Sequence, residues 1–386
     1  MTAKAAAPLH PQRAAFEVPQ DVCYLNCSYM APQLRAVREA GKAAIDWRSR
    51  PWEIAAPDFF DTVERVRALF GGLAGIDPDC VALVPAVSYG MATAAATLPF
   101  APGDAVLLLD GEYPSNFYIW ERLAREGGGR LILVKRPADG DWTEAVLDKL
   151  GGGVRIASLP HCFWSDGSAL DLVRIGAACR AQGTALVLDL TQSWGAMPID
   201  LAAVDPDFAM AAGYKWLLCP YGSGLMYVAP RHHEGRPLEE NWAGRAGAEN
   251  FSELVPYKDR YQPGARRFDV GERSNFTAVA QMVTALEQLS AWGVARIAER
   301  LQVVTRDLAE RCAEAGLAHS APLQAPHMIG FPLPPGAPRD LAGRMAAECV
   351  HLSRRGDWLR LSPHLHVEDR DIARFGEALV RHLRHA

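Results

Sequence analysis

The chain has 386 residues, 49% of them hydrophobic, enough for one large core and a smaller companion, since single cores stop growing near ~250–300 residues. Its 40 basic and 45 acidic residues leave a formal net charge of −5 without long like-charge runs, which excludes a nucleic-acid footprint and favours a small-molecule partner. No stretch approaches the ~20 apolar residues that span a bilayer, there is no hydrophobic signal core, and the eight scattered cysteines form no C-x-x-C pair or zinc-spaced cluster, so a reduced, metal-free, cytoplasmic protein is expected.

Residues 1–20 are Ala- and Pro-rich and aperiodic, which predicts a loosely held N-terminal arm. Structure is expected to begin at Val22-Cys23-Tyr24-Leu25, opening a large domain over 21–245 whose first part, 21–58, packs against a small domain. From Phe59, apolar residues recur at helical spacing through Val63, Val66 and Phe70, and Gly71-Gly72 closes the run. Short apolar runs follow at Val81-Ala82-Leu83-Val84, 105–109, 131–134, 155–159 and Ala185-Leu186-Val187-Leu188-Asp189, separated by helical patterns at 88–97, 118–125, 143–150 and 170–182. This alternation predicts an α/β fold with a mainly parallel sheet covered by helices on both faces. Two further strands, 208–210 and 224–228, flank a loop carrying Lys215. Residues 237–267 are polar and irregular, and the chain beyond them, with helices at 277–292, 297–315 and 369–384 and short strands near 327–331 and 359–361, predicts a small α+β domain over 246–386.

Three features in this order point to chemistry. Pro85-Ala86-Val87-Ser88-Tyr89-Gly90 lies at a strand-to-helix junction, where free N–H groups and a Ser hydroxyl make a phosphate site, although Ser there is also an ordinary cap. Asp189 ends an apolar strand, where open α/β sheets place ligands, or simply caps it. Lys215, in Ala211-Ala212-Gly213-Tyr214-Lys215-Trp216, sits among small and aromatic residues that disfavour its charged form, as a Schiff-base lysine requires; alone it would read as a loop lysine before a Gly turn.

With these residues, and with the block 207–226 around the lysine, the sequence resembles the class V aminotransferase family of fold-type-I pyridoxal-phosphate (PLP) enzymes, from about Tyr24 to Leu379. The family includes cysteine desulfurases, kynureninase and isopenicillin-N-epimerase-like proteins. The resemblance implies a PLP cofactor bonded to Lys215, with its pyridine nitrogen on Asp189, its phosphate on Ser88 and the Tyr89 backbone, and its phenolic oxygen on Gln192. Tyr113 in Glu112-Tyr113-Pro114-Ser115-Asn116 takes the ring-stacking place, Trp164 walls the pocket, and Tyr214 stands where the family has a residue that helps hold the phosphate. His161 is as readily structural as acid/base. Arg360, in Leu359-Arg360-Leu361-Ser362-Pro363, matches the arginine that grips the substrate α-carboxylate, whereas Arg354 and Arg355 read as surface residues. Glu272 stands where desulfurases have a Thr that reaches the partner's phosphate, so that contact is not transferred.

The expectation is therefore a homodimeric fold-type-I enzyme acting on an amino acid. Transamination comes first, C–S lysis, β-elimination or epimerisation second, and a non-catalytic PLP-binding role last. Desulfuration would need a nucleophilic cysteine on a mobile loop; Cys349 shares i, i+4, i+7 spacing with Met345 and Leu352 and so predicts a buried, inert helix-face thiol.

Overall fold

The computed structural model describes residues 8–255, 257–318 and 321–384. The apolar runs form a seven-stranded sheet in the order Val81–Val84, Gly224–Val228, Phe208–Ala212, Ala185–Asp189, Val154–Pro160, Ala105–Leu109, Arg130–Val134. From Phe208–Ala212 to Arg130–Val134 every pairing is parallel; Gly224–Val228 runs against both its neighbours. Every residue of Ala105–Leu109 and Phe208–Ala212 is buried, as both faces are covered.

Local sequence sets where the covering helices stop. Leu172–Gln182 begins where the Asp171 carboxylate accepts the Arg174 N–H, and ends at Gly183, which adopts φ 68°. The helix expected to close at Gly71-Gly72 instead runs Asp61–Ala74 and stops at Gly75, the residue with the left-handed φ of 68°. Gly71 is a packing residue: a Cβ there would lie 2.9 Å from the Ile76 carbonyl oxygen. In Val87–Thr97, Gly90 has the same role, because a Cβ would come within 2.8 Å of Met210 Sδ. That close approach seats this helix against the middle of the Phe208–Ala212 strand.

A second core, built on Val304, Leu308, Phe331, Leu361, Phe375 and Leu379, belongs to the small α+β domain. Its antiparallel sheet has the order Ser353–Arg355, Trp358–Leu361, Ile329–Pro332. The helices beyond the expected boundary at 246 divide between the two cores. Helix Phe276–Trp292 buries Met282, Leu286 and Leu289 in the large core, and the following helix, Val294–Glu314, begins in that core with Ile297 and Leu301 and ends in the small one. The irregular segment before it stays on the large domain, where Arg266 pairs with Glu64 at 2.7 Å and Asp79 at 2.7 Å.

The N-terminal expectation also changes. Residues 1–7 of the predicted arm lie outside the described residues, but the rest is anchored: Phe16 is fully buried against Trp292, and buried Arg13 pairs with Asp371 at 2.8 Å. Short apolar residues among prolines carry no period, so this docking left no pattern to read. Cys23–Tyr24 pairs in parallel with Val350–His351 of the small domain. Helix Arg35–Arg48 instead lies against Phe276–Trp292, with Gly41 where a Cβ would meet the Gln281 amide.

Candidate active site

The C-terminal ends of five parallel strands and the start of the antiparallel one converge on a cleft of about 240 Å³. Ser88 follows the first of these strands, Glu112 and Tyr113 the second, Cys162 and Trp164 the third, Thr191 the fourth, Tyr214 and Lys215 the fifth, and Tyr221–Ser223 precede Gly224–Val228. A crevice at the carboxyl edge of a parallel sheet is where such folds bind ligands.

Lys215 is 6% exposed, with Nζ 5.5 Å from the Tyr113 ring centroid and 5.7 Å from that of Tyr214. Burial pushes its amine down to about 8; Asp189 opposes this, while Arg360 and Arg355 add to it. The loop holding it is tight. Leu218 donates its N–H to the Lys215 carbonyl at 3.1 Å and takes φ 54°, a conformation costly for a branched residue. Gly195, at φ 96°, leaves no room for a Cβ beside the Trp216 carbonyl, 2.3 Å away.

Asp189 is buried, and its Oδ1 accepts the Thr191 N–H at 2.9 Å. Burial raises its carboxyl above the usual range, against the pull of Thr191 and Lys215. The protein alone supplies too little positive charge at this carboxylate to offset its desolvation. Nearby Glu112, whose role sequence reasoning passed over, accepts the Tyr113 N–H at 2.7 Å on Oε1, with its carboxyl buried against Asn116. Burial, reinforced by Asp189, pushes the Glu112 carboxyl up to about 8.

At the far end of the cleft, helix Val87–Thr97 starts from Ala86, which has no side chain to cap it. The Val87 and Ser88 N–H groups therefore lie in the first helical turn with no intrahelical acceptor. Tyr89 does not join them. Its N–H donates to the Ala86 carbonyl at 3.1 Å, and its phenol bonds to Glu239. Gln192 lines the cleft, but its Oε1 accepts from Trp216 Nε1 at 3.0 Å and its Nε2 donates to the Ser28 carbonyl at 3.2 Å. Tyr214 packs on Tyr221 with ring centroids 4.6 Å apart. His161 is buried and pushed down to about 4 by desolvation, so it is neutral, with Nδ1 unpartnered.

The small domain closes one wall. Trp164 donates Nε1–H to the Gly111 carbonyl at 2.9 Å and meets Tyr113 edge-on at 5.8 Å. Arg360, 1% exposed, reaches the Trp164 carbonyl through Nη1 at 2.8 Å, Ser353 Oγ through Nε at 3.1 Å and Asn26 Oδ1 through Nη2 at 3.5 Å. No carboxylate among the described residues pairs with it, and burial pushes it down to about 9. A buried cation held only by neutral acceptors is arranged to receive an anion. Asn26, on Arg360, and Ser28, on Gln192, belong to the N-terminal segment and carry no sequence signal for these contacts.

Two further expectations are corrected. Arg355 does not point to the surface: its guanidinium carbon lies 5.8 Å from the Trp164 ring centroid. Cys349 is not on a helix face. The helix ends at Ala347, and Cys349 sits half-buried beyond it at φ 60°. Inertness by burial in a helix is thus withdrawn. Among the described residues no helix is long and apolar enough to cross a membrane.

Comparison with known proteins bears on these residues. The sequence model described as Aminotransferase class-V matches residues 55–359. The chain is 29% identical over 333 residues to isopenicillin N epimerase of Streptomyces clavuligerus, covering 82% of this chain and 83% of that one. It is 32% identical over 276 residues to kynureninase of Deinococcus radiodurans, covering 68% and 65%. In fold it is similar to the cystine C–S lyase C-DES in complex with its product cysteine persulfide, with TM-score 0.85 at 20% identity over 94% of this chain and 98% of that one.

Proposed function

The chain belongs to the class-V aminotransferase family, and from that premise we propose that it is a PLP-dependent enzyme that takes the α-proton from an amino acid and transaminates it. The donor set fits the cofactor. The uncapped N–H groups of Val87 and Ser88, with the Ser88 hydroxyl, suit a phosphate. The Tyr89 backbone drops out of that role because its N–H already has an acceptor. Asp189 would face the pyridine nitrogen, Tyr113 the ring, Gln192 the phenolic oxygen through its remaining N–H, Trp164 and Tyr214 the flanks, and Lys215 the aldehyde carbon. Bound PLP supplies an aldehyde that condenses with amines and a ring that withdraws electrons from the α-carbon.

Arg360 binds the substrate α-carboxylate and so orients the α-hydrogen. Asp189 would hold a proton on the pyridine nitrogen, an arrangement that would also offset the desolvation of its own carboxylate. Lys215 is the base: its depressed pKa leaves a fraction of neutral amine near pH 7, so Nζ can accept the α-proton. One base that returns the proton to an adjacent atom suffices for transamination, and the buried Lys215 Nζ, its pKa lowered to about 8 and lying 5.5 Å from the Tyr113 ring, is the observation that carries this reading.

Elimination or epimerisation is the second reading. Its support is Glu112, a buried carboxyl raised to about 8 and hence protonated at neutral pH, which lines the same cleft and can give a proton to a leaving group. Incubating the holoenzyme with a panel of amino acids separates them. Conversion of the cofactor to its pyridoxamine form with release of a keto acid is expected; ammonia or sulfide release, or loss of optical rotation, favours the second reading. No spectral response to any amino acid would leave only a PLP-binding role.

A further inference from the structure

Strand register decides where the arginines of the small domain point. Ser353 pairs with Arg360 and Arg355 with Trp358, so Ser353, Arg355, Trp358 and Arg360 share one face. The other face carries Leu359 and Leu361 into the small core, and Arg354 on that side is tied to the Pro338 and Gly356 carbonyls and to Asp357. The first face lies directly on the segment after Val154–Pro160. A Cβ on Gly330, the register partner of Arg360, would sit 2.5 Å from Asp166 Cα, and Arg360 itself holds the Trp164 carbonyl.

Arg355 emerges from that face half-buried against the Trp164 ring, and its Nε is buried without a hydrogen-bond partner. Among the described residues no carboxylate pairs with it, unlike Arg354 with Asp357, Arg266 with Glu64 or Arg136 with Asp166. Its positive charge bears on both Lys215 and Arg360. One substrate carboxylate on Arg360 would leave Arg355 unmatched, and the indole wall limits how much water can screen it.

We propose that Arg355 is a specificity-determining residue that receives an anionic group on the substrate side chain, which makes α-amino acids with a second carboxylate the preferred class. This rests on the amino-acid reading of the same cleft. Arg360 takes the α-carboxylate and Arg355 the distal one, and Trp164 fixes the plane of the second guanidinium. A neutral side chain in that place leaves a half-buried cation without its anion.

The test compares kcat/KM of the holoenzyme for aspartate and glutamate with that for asparagine, glutamine and alanine, in wild type, Arg355→Met and Arg355→Lys, with the cofactor absorbance band as the check on folding. In the wild type the acid is preferred over its amide; in Arg355→Met that ratio falls about 10- to 100-fold, and Arg355→Lys keeps part of it. Wild-type turnover of amides or alanine as good as that of the acids, or an Arg355→Met loss equal for acids and amides, overturns this inference and leaves the amino-acid reading standing. Silence toward every amino acid overturns both.

Discussion

Arg360 and Trp164 are joined by a 2.8 Å hydrogen bond from guanidinium Nη1 to the peptide oxygen, which ties the arginine proposed to grip the substrate carboxylate to a residue lining the cleft of the large domain. Two other neutral acceptors, Ser353 and Asn26, fix the remaining edges of the guanidinium. Arg360→Lys keeps the charge but cannot present a planar fork. KM for the amino acid should rise about 10- to 100-fold while cofactor capture is retained. Unchanged KM, or wild-type kinetics equal for amino acids and the matching decarboxylated amines, would remove Arg360 from carboxylate binding.

Asp189 is raised by burial when only Thr191 and Lys215 offset it, so a bound pyridinium is the partner that makes its charge favourable. Asp189→Asn should leave cofactor bound and slow α-proton exchange roughly 100-fold or more, because the ring nitrogen is no longer held protonated. Exchange of the α-hydrogen in deuterated water, followed by NMR, measures this; a near-normal rate contradicts the role.

Lys215, pushed down to about 8, is protonated below that value and nucleophilic above it. The rate at which apoprotein captures PLP should therefore climb with pH and level off near pH 8 instead of continuing toward the ordinary lysine value of about 10.4. Stopped-flow absorbance across pH 6–10 reads it, and a rate still rising at pH 10 would show an unperturbed amine.

Four histidines, His161, His327, His364 and His366, are buried and held neutral, the first two pushed down to about 4 and about 3 and His366 to about 4. Their folded pKa values lie below the unfolded value of about 6.5, so the stability they contribute is present above that pH and is lost as pH falls toward 4. Each group adds a slope of up to about 1.4 kcal/mol per pH unit in that window. Urea midpoints should fall as pH drops below about 6.5, four histidines outweighing the opposite contribution of buried Glu112, with a shallower fall in His161→Gln/His327→Gln. A midpoint unchanged down to pH 4 would contradict this.

Much of the fold was legible because it depends on local periodicity. The runs 105–109 and 185–189 could be strands only in a doubly covered sheet, and Asp189 and Lys215 could be placed at its carboxyl edge from strand ends alone. What escaped notice depends on contacts distant in sequence. Phe16 docks on Trp292 and Arg13 on Asp371, pairs separated by hundreds of residues, so a Pro-rich stretch without a period turned out to be anchored. Arg354 and Arg355 are adjacent in sequence, and only the register of a three-residue strand decides which one faces Trp164. Cys349 kept helical spacing to its neighbours although the helix had already ended at Ala347, because two apolar matches do not fix a terminus. Glu112 was in view but carries no signal of its burial until Asp189 and the Tyr113 backbone are placed around it.

The central claim is that Lys215 holds the cofactor. Apoprotein is incubated with PLP, reduced with tritiated borohydride, digested and mapped by mass spectrometry. Label on the peptide containing Lys215, abolished in Lys215→Ala, is the predicted result; label on Lys42, Lys135, Lys149 or Lys258 in its place would contradict the account.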